Sequence, residues 1–389
     1  MPTRSLVKTF AVAAAALLTT AGISTGTAAA EPPPQSALGS YIVTLEAGTE
    51  PSSVAGLAAG LGGSVKHVYT SALTGFAVTL PSRLAERLAT LPGVVSVEAD
   101  QQLQLSATQP SAPWGLDRTD QQALPLSGTW SYNATGAGVK AYVIDSGINL
   151  THSDFGGRAV TGADLIDGGA ASDCNGHGTH VAGTVGGTRY GIAKQVSLVA
   201  VRVFSCTGST SSSTVLAGVD WVTRDHQAGQ PAVANMSLGG GISTALDSAV
   251  AASIADGVTY VIAAGNGDAR QVPLDACTQS PARVPAALTV GASDRNDQPG
   301  SFSNYGACVD LFAPGVGITS DWYTSSTATR VLNGTSMAAP HVAGVAALYL
   351  QTTPGAAPSA VSSFVKTTAT QGRINTTRTA ENDLLFSAL

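Results

Sequence analysis

The sequence predicts an α/β protein: a doubly wound, mostly parallel sheet covered by helices, preceded by a small α+β domain of ferredoxin-like order. Three observations carry this expectation. From Trp114 onward, apolar runs of strand length alternate with stretches of helical length, the pattern of a parallel sheet buried on both faces. Residues 40–105 follow a different and tighter βαββαβ order. Between the two, residues 101–113 are rich in Gln, Ser, Ala and Pro and read as a linker. A chain of 389 residues has room for two or three domains. With 44% hydrophobic and only 11% charged residues it does not read as disordered, and a net charge of -6 leaves no basic footprint for nucleic acid.

Taken in order, the chain opens on an address label. Arg4 and Lys8 flank the start of an apolar run over 10–18, and Ala28-Ala29-Ala30 supplies an A-x-A site before Glu31-Pro32-Pro33-Pro34. Residues 1–30 therefore read as a secretory signal. The run is far shorter than the ~20 residues of a membrane span, and no later segment looks transmembrane. In the unit over 31–106, Tyr41-Ile42-Val43-Thr44-Leu45 alternates as a strand and 51–61 is a helical run of small residues. Residues 65–80 hold two strands broken at Leu73-Thr74-Gly75, Pro81-Ser82 opens a helix through 91, and Val94-Val95-Ser96-Val97 is a further strand. This order suggests an antiparallel sheet with two helices on one face.

In the unit over 107–389, strands are expected at 139–144, 197–203, 232–236, 258–263 and 287–290, with helices at 214–224, 243–255 and 337–350. In sheets of this kind, function gathers just past the carboxyl ends of the strands. The four cysteines, Cys174, Cys206, Cys277 and Cys308, show no C-x-x-C and, in an exported chain, favour two disulfides. Three pairings are open; the sequential one, Cys174–Cys206 and Cys277–Cys308, closes two local loops, each worth roughly 3–4 kcal/mol by the chain-entropy model.

Four polar residues stand past apolar runs or in glycine-rich turns: Asp145 after Val143-Ile144, His177 in Asn175-Gly176-His177-Gly178-Thr179-His180, Asn266 after Ala263-Ala264-Gly265, and Ser336 in Gly334-Thr335-Ser336-Met337. Singly, each suits a cap or a turn. Together they are the parts of acyl transfer: a nucleophilic hydroxyl, an imidazole base, a carboxylate to orient it and a donor for the oxyanion. A zinc site from Cys174, His177 and His180 lacks a fitting fourth ligand and would compete with a disulfide. An α/β-hydrolase would need the order Ser, acid, His with G-x-S-x-G, and Ala338 replaces the last glycine.

At these residues the sequence resembles the subtilisin-like serine proteases, whose chain order is Asp, His, Ser. The strings Val143-Ile144-Asp145-Ser146-Gly147, His177-Gly178-Thr179-His180-Val181-Ala182-Gly183 and Gly334-Thr335-Ser336-Met337-Ala338 match the family's three motifs. Asn175-Gly176, Ser237-Leu238-Gly239-Gly240 and Ser301-Phe302-Ser303-Asn304-Tyr305-Gly306 place it near the proteinase K branch, and the cysteine positions with Ala112-Pro113-Trp114-Gly115-Leu116-Asp117 look most like aqualysin-type members. The resemblance implies the subtilisin-like fold, with 31–106 an inhibitor I9-like propeptide that acts as intramolecular chaperone and inhibitor, cleaved near Ser106-Ala107. It implies a secreted, monomeric endopeptidase acting on polypeptides, with no nucleic-acid or membrane partner and no cofactor for catalysis.

The same resemblance assigns roles. Asp145, His177 and Ser336 form the triad, and Asn266 with the Ser336 amide forms the oxyanion hole. The backbone of Ser237, Leu238, Gly239 and Gly240, facing the loop over 208–211, would pair with an extended peptide. Ala263, Ala264 and Gly265 would line an apolar pocket for a hydrophobic or aromatic residue before the scissile bond. Thr210 departs from the glycine expected beside the peptide. Structural Ca²⁺ is expected on Asp310 with the carbonyls of Pro285 and Ala287, and at a second place on Asp117, Asp120 and Gln121.

Overall fold

The computed structural model describes residues 38–100 and 107–389, which belong to two separate units. The predicted signal over 1–30 and the 101–106 part of the predicted linker lie outside the described residues.

Period-two alternation builds the first unit. Its strands are β1 (Leu38–Leu45), β2 (Ser64–Tyr69), β3 (Gly75–Pro81) and β4 (Val94–Ala99), and its helices are α1 (Pro51–Gly60) and α2 (Ser82–Leu88). The strands form one antiparallel sheet in the order β2-β3-β1-β4. Val43 and Leu45 share a core with Phe76, Val78 and Leu80 of β3, Val54 and Ala58 of α1, and Leu88 of α2. Pro51 sits in the first turn of α1, where its missing N–H costs nothing.

The linker expectation is overturned in part. Residues Ala107–Pro110 are a strand, β5, paired antiparallel with β6 (Thr129–Tyr132). Its partner lies some twenty residues onward, so composition alone gives no sign of it. Gln109 fastens β5 from the side, its amide donating to the Arg189 carbonyl at 3.0 Å and accepting from Lys194 Nζ at 2.6 Å.

The second unit carries α3 (Trp114–Thr119) and a seven-stranded sheet. Its strands are β7 (Lys140–Asp145), β8 (Ala159–Asp164), β9 (Ser197–Arg202), β10 (Ala232–Met236), β11 (Thr259–Ala263), β12 (Leu288–Ser293) and β13 (Leu311–Pro314). The order is β13-β12-β11-β10-β7-β9-β8, and every pairing is parallel. The helices are α4 (His177–Gly186), α5 (Ser212–Asp225), α6 (Thr244–Asp256), α7 (Thr335–Thr352) and α8 (Pro358–Thr368), and a hairpin of β14 (Ile318–Asp321) and β15 (Thr329–Leu332) precedes α7. Along β7, Ala141 and Val143 enter the core shared with α4 and α7, while Tyr142 and Ile144 enter the core shared with α5 and α6. The edge strands β8 and β13 and the helix α8 are elements that the apolar-run reading does not mark.

Strand β7 is where the winding changes direction: β9 and β8 lie on one side of it, β10 to β13 on the other. Its carboxyl end is therefore the crevice in which such sheets bind ligands. Both cysteine pairs are sequential, Cys174–Cys206 and Cys277–Cys308, with Cα atoms 4.9 Å and 5.3 Å apart, and no described cysteine is free. No helix among the described residues is long and apolar enough to cross a membrane.

Candidate active site

Asp145 is the last residue of β7 and is 1% exposed on its side chain; His177 is the first residue of α4 and remains one-third exposed, at 32%. Gly176, at φ 109°, makes the left-handed turn that starts α4, a conformation that costs glycine little. Gly178 lets that helix start approach β7, because a Cβ there would collide with the Gly147 carbonyl. The result is a direct contact. His177 Nδ1 donates to both Asp145 oxygens, at 2.8 Å and 2.9 Å, which leaves the Nε2 lone pair free to take a proton. Burial pulls the His177 pKa down, but the charge and hydrogen bond of Asp145 and the charge of Asp173 outweigh it, and the net shift is upward.

Ser336 is the second residue of α7. Pro340, inside that helix, has no N–H to offer the Ser336 carbonyl. Ser237, one residue past β10, supplies the missing donor: its hydroxyl bonds the Ser336 carbonyl at 2.8 Å. The Ser336 hydroxyl in turn donates to the Ser237 carbonyl at 3.3 Å and not to His177. The Ser336 amide, in the first turn of α7, has no backbone acceptor.

Asn266 follows β11. Its Oδ1 accepts from the Thr335 amide at 2.8 Å and the Thr335 hydroxyl at 3.0 Å, which fixes the side chain and leaves Nδ2 as its unspent donor. Thr335, whose hydroxyl also accepts from the Gly265 amide at 3.0 Å, has no role in the sequence reading although it sits inside the Gly334-Thr335-Ser336 string. Its burial between two polar neighbours is the signal, and only the fold reveals it.

Two recesses meet at Leu238 and Gly239. One, of about 260 Å³, runs past Asp145, His177, Asn175, Phe204 and Gly208. The other, of about 150 Å³, is lined by Ala263, Ala264, Gly265, Asn266 and Ser336, joined by Asn304 of the Ser301–Gly306 string and by Gln279 and Ala282, which sequence reasoning does not single out. A third recess, of about 190 Å³, lies between Leu238–Gly241 and Thr210, Ser211, Val215 and Leu246. The Thr210 hydroxyl is turned back on the Val203 carbonyl of its own loop. The Gly240 amide and carbonyl are both bonded to Ser280, at 3.0 Å and 3.1 Å, and the Ser237 carbonyl accepts from the Ser336 hydroxyl, so Leu238 and Gly239 are the residues of this stretch with no backbone group so engaged.

The two calcium places differ in fit. Asp310 is already engaged, Oδ1 by Lys366 Nζ at 3.0 Å and Oδ2 by the Thr289 amide at 2.9 Å, so the Lys366 ammonium holds the place of a cation and the donor set with Pro285 and Ala287 does not fit a metal as arranged. At the other place, Asp120 Oδ1 is buried without a partner. Burial, reinforced by the nearby Asp117 charge and opposed by the Ser131 amide, pushes Asp120 up to about 6. Asp117 is held by Ser127, Gly128 and Gln121. An orphaned carboxylate oxygen beside a second carboxylate and an amide fits a hard cation, although no cluster of three His, Cys, Asp or Glu exists among the described residues. The zinc alternative is removed, since Cys174 is in a disulfide and His180 turns Nε2 to the Ile318 and Arg330 carbonyls, both at 3.1 Å.

A parallel sheet that brings an acid to an imidazole at its switch point, with Ser336 opening the buried helix α7, has the parts of an α/β serine proteinase, and the comparisons with known proteins define that class. The Subtilase family (Peptidase S8) matches residues 136–385, and Peptidase inhibitor I9 matches residues 40–106. An extracellular serine proteinase of Thermus sp. (strain Rt41A) is 57% identical over 328 residues, 84% of this chain and 78% of the relative. The alkaline serine exoprotease A of Vibrio alginolyticus is 51% identical, covering 83% of this chain and 60% of the relative. Among solved structures, a cold adapted subtilisin-like serine proteinase at 53% identity aligns with a TM-score of 0.68, covering 72% of this chain and 99% of its own. The chain belongs to the subtilase family, with an inhibitor I9 domain ahead of the subtilisin-like unit.

Proposed function

We propose that the chain is the precursor of a secreted endopeptidase. Residues 1–30 direct export, 31–106 are a propeptide that assists folding and inhibits the enzyme, and 107–389 are the working monomer. The name of the Thermus relative, an extracellular proteinase, supports the export reading. The observation that carries the chemistry is the Asp145–His177 contact at 2.8 Å, beside a recess that leads to Ser336 and Asn266.

In this reading the Ser336 hydroxyl swings from the Ser237 carbonyl to His177 Nε2, surrenders its proton there and attacks the scissile carbonyl. Asp145 holds the tautomer and stabilises the imidazolium, which then protonates the leaving amine; water hydrolyses the acyl-enzyme by the same route. Asn266 Nδ2 and the Ser336 amide receive the oxyanion at the positive end of α7. The peptide lies along Ser237, Leu238 and Gly239, and the small side chains of Ala263, Ala264 and Ala282 favour a hydrophobic or aromatic residue before the cleaved bond. Asp117, Asp120 and Gln121 would hold calcium as a structural ion, with no step in the reaction.

The test is the full-length Ser336→Ala precursor. It should stay unprocessed, while the wild type matures and is stopped by a serine-directed acylating reagent. Self-processing or casein cleavage by the alanine variant would sink the mechanism. Cleavage-site profiling on a mixed peptide library should show hydrophobic and aromatic residues before the cut; a dominant charged residue there would overturn the pocket assignment.

A further inference from the structure

Asp173 lies four residues before His177, is only 9% exposed, and is bonded by no Lys or Arg among the described residues. Five donors fill its carboxylate instead. Oδ1 accepts from the Ser146 hydroxyl at 3.0 Å and from the amides of Asn175 at 2.9 Å and Gly176 at 2.8 Å. Oδ2 accepts from the Thr179 amide at 2.9 Å and the Thr179 hydroxyl at 2.6 Å. A side chain that meets only donors has the surroundings of a carboxylate and not of an amide.

Ser146 carries the connection to the acid. Its hydroxyl, while donating to Asp173, accepts from the Gly178 amide at 2.9 Å, and its own amide donates to Asp145 Oδ1 at 2.7 Å. One carboxylate therefore holds both partners of the acid–base contact. It reaches the end of β7 through Ser146, and the start of α4 through the amides of Gly176 and Thr179 on either side of His177.

We propose that Asp173 is a positioning residue for peptide hydrolysis, which fixes the His177 imidazole against Asp145 and places a second buried carboxylate beside the imidazolium. The proposal rests on the reading of Asp145, His177 and Ser336 as the catalytic groups. The charged and titratable groups that act on the His177 ring are Asp145 from β7, Asp173 from the approach loop and His180 on α4. Of these, Asp145 and Asp173 favour the imidazolium. Removing the Asp173 charge lowers the His177 pKa; disturbing the loop misplaces the ring, and misplacement of a reacting group by about 1 Å costs up to about a hundredfold in rate.

Two measurements test this. In the full-length Ser336→Ala chain, NMR titration of the His177 imidazole should give a midpoint at lower pH after Asp173→Asn. In the active chain, Asp173→Asn should cut kcat by about tenfold or more per site titrated with an acylating reagent, with KM changed by less than about threefold. Ser146→Ala, which keeps the Asp173 carboxylate but breaks its link to the strand, should lower kcat with a smaller movement of the midpoint. An unmoved midpoint together with wild-type kcat per titrated site would overturn the proposal and leave Asp173 a loop-folding residue only. If circular dichroism shows that Asp173→Asn does not fold, wild-type kcat in Ser146→Ala would overturn it equally. A wild-type chain that is not acylated at Ser336 would sink the triad reading instead, and the imidazole titration would still decide the electrostatic half.

Discussion

The hydroxyl of Ser237 donates to the carbonyl of Ser336 at 2.8 Å, and so closes the hydrogen bond that Pro340 cannot make. A proline inside a helix normally strands the carbonyl four residues earlier. Here the stranded carbonyl belongs to the proposed nucleophile, and its replacement donor comes from the strand end proposed to pair with the peptide. The start of α7 and the end of β10 are thereby fixed to each other.

Ser237→Ala leaves that half-buried carbonyl without its donor and the buried Asn235 amide without its acceptor at 2.8 Å, a loss of about 1–3 kcal/mol. In a domain of this size it should lower Tm by about 2–10 °C. Calorimetry on the Ser336→Ala background, where autolysis is absent, measures it. An unchanged Tm would mean that water replaces the hydroxyl without cost.

Thr335→Val keeps the shape of Thr335 but removes one of the two donors that fix Asn266, and leaves the Gly265 amide without its acceptor. The expected result is a loss of about tenfold in kcat with KM nearly unchanged, because the contact matters most where the oxyanion develops. Asn266→Leu should cost more, about 10²–10³, the loss established for a subtilisin asparagine that is the reference case for such holes. Equal losses in the two variants would contradict an indirect role for Thr335.

Asp321, at the end of β14, is fully buried and lies against Asp154, with His152 Nδ1 at 3.5 Å. Burial and the Asp154 carboxylate push it up to about 9, opposed by Arg158. An acid whose folded pKa is raised contributes its full stability below the unfolded value near 4 and loses it as pH rises toward 9. Asp321→Asn supplies a donor to Asp154 at every pH, so it should unfold at a higher temperature than the parent by a margin that widens between pH 5 and pH 9. A constant margin would show that Asp321 ionises normally.

Calcium should raise Tm of the mature protein, and chelation should lower it. Asp120→Asn should abolish the difference, whereas Asp310→Asn should weaken the α8 attachment through Lys366 without abolishing the calcium response. Calorimetry with calcium and with chelator distinguishes these. A calcium effect lost with Asp310 and kept with Asp120 would reverse the assignment.

Much of the fold is legible in the residues because local chemistry carries it. Period-two alternation in Tyr41-Ile42-Val43-Thr44-Leu45 and the apolar run before Asp145 need no partner to be recognised as strands. Edge strands β8 and β13 escape such a reading because one-sided burial in Ala159–Asp164 and a four-residue length in Leu311–Pro314 leave little periodicity. Strand β5 reads as a linker, since Ala107–Pro110 is a strand only through its pairing with Thr129–Tyr132.

By itself the sequence marked most of the inner strands and the longer helices, the order of the two units, and the side chains proposed for acyl transfer: Asp145, His177, Asn266 and Ser336. These follow from local propensity and residue chemistry, which act over a few positions. Only the tertiary structure decided that Asp173 would hold both sides of the Asp145–His177 contact, that Thr335 would bond Asn266, that Gly240 would be spent on Ser280, and that the Lys366 ammonium would meet Asp310. Hydrogen bonds and ion pairs act at about 3 Å between atoms many residues apart in the chain, and no local pattern encodes such a meeting.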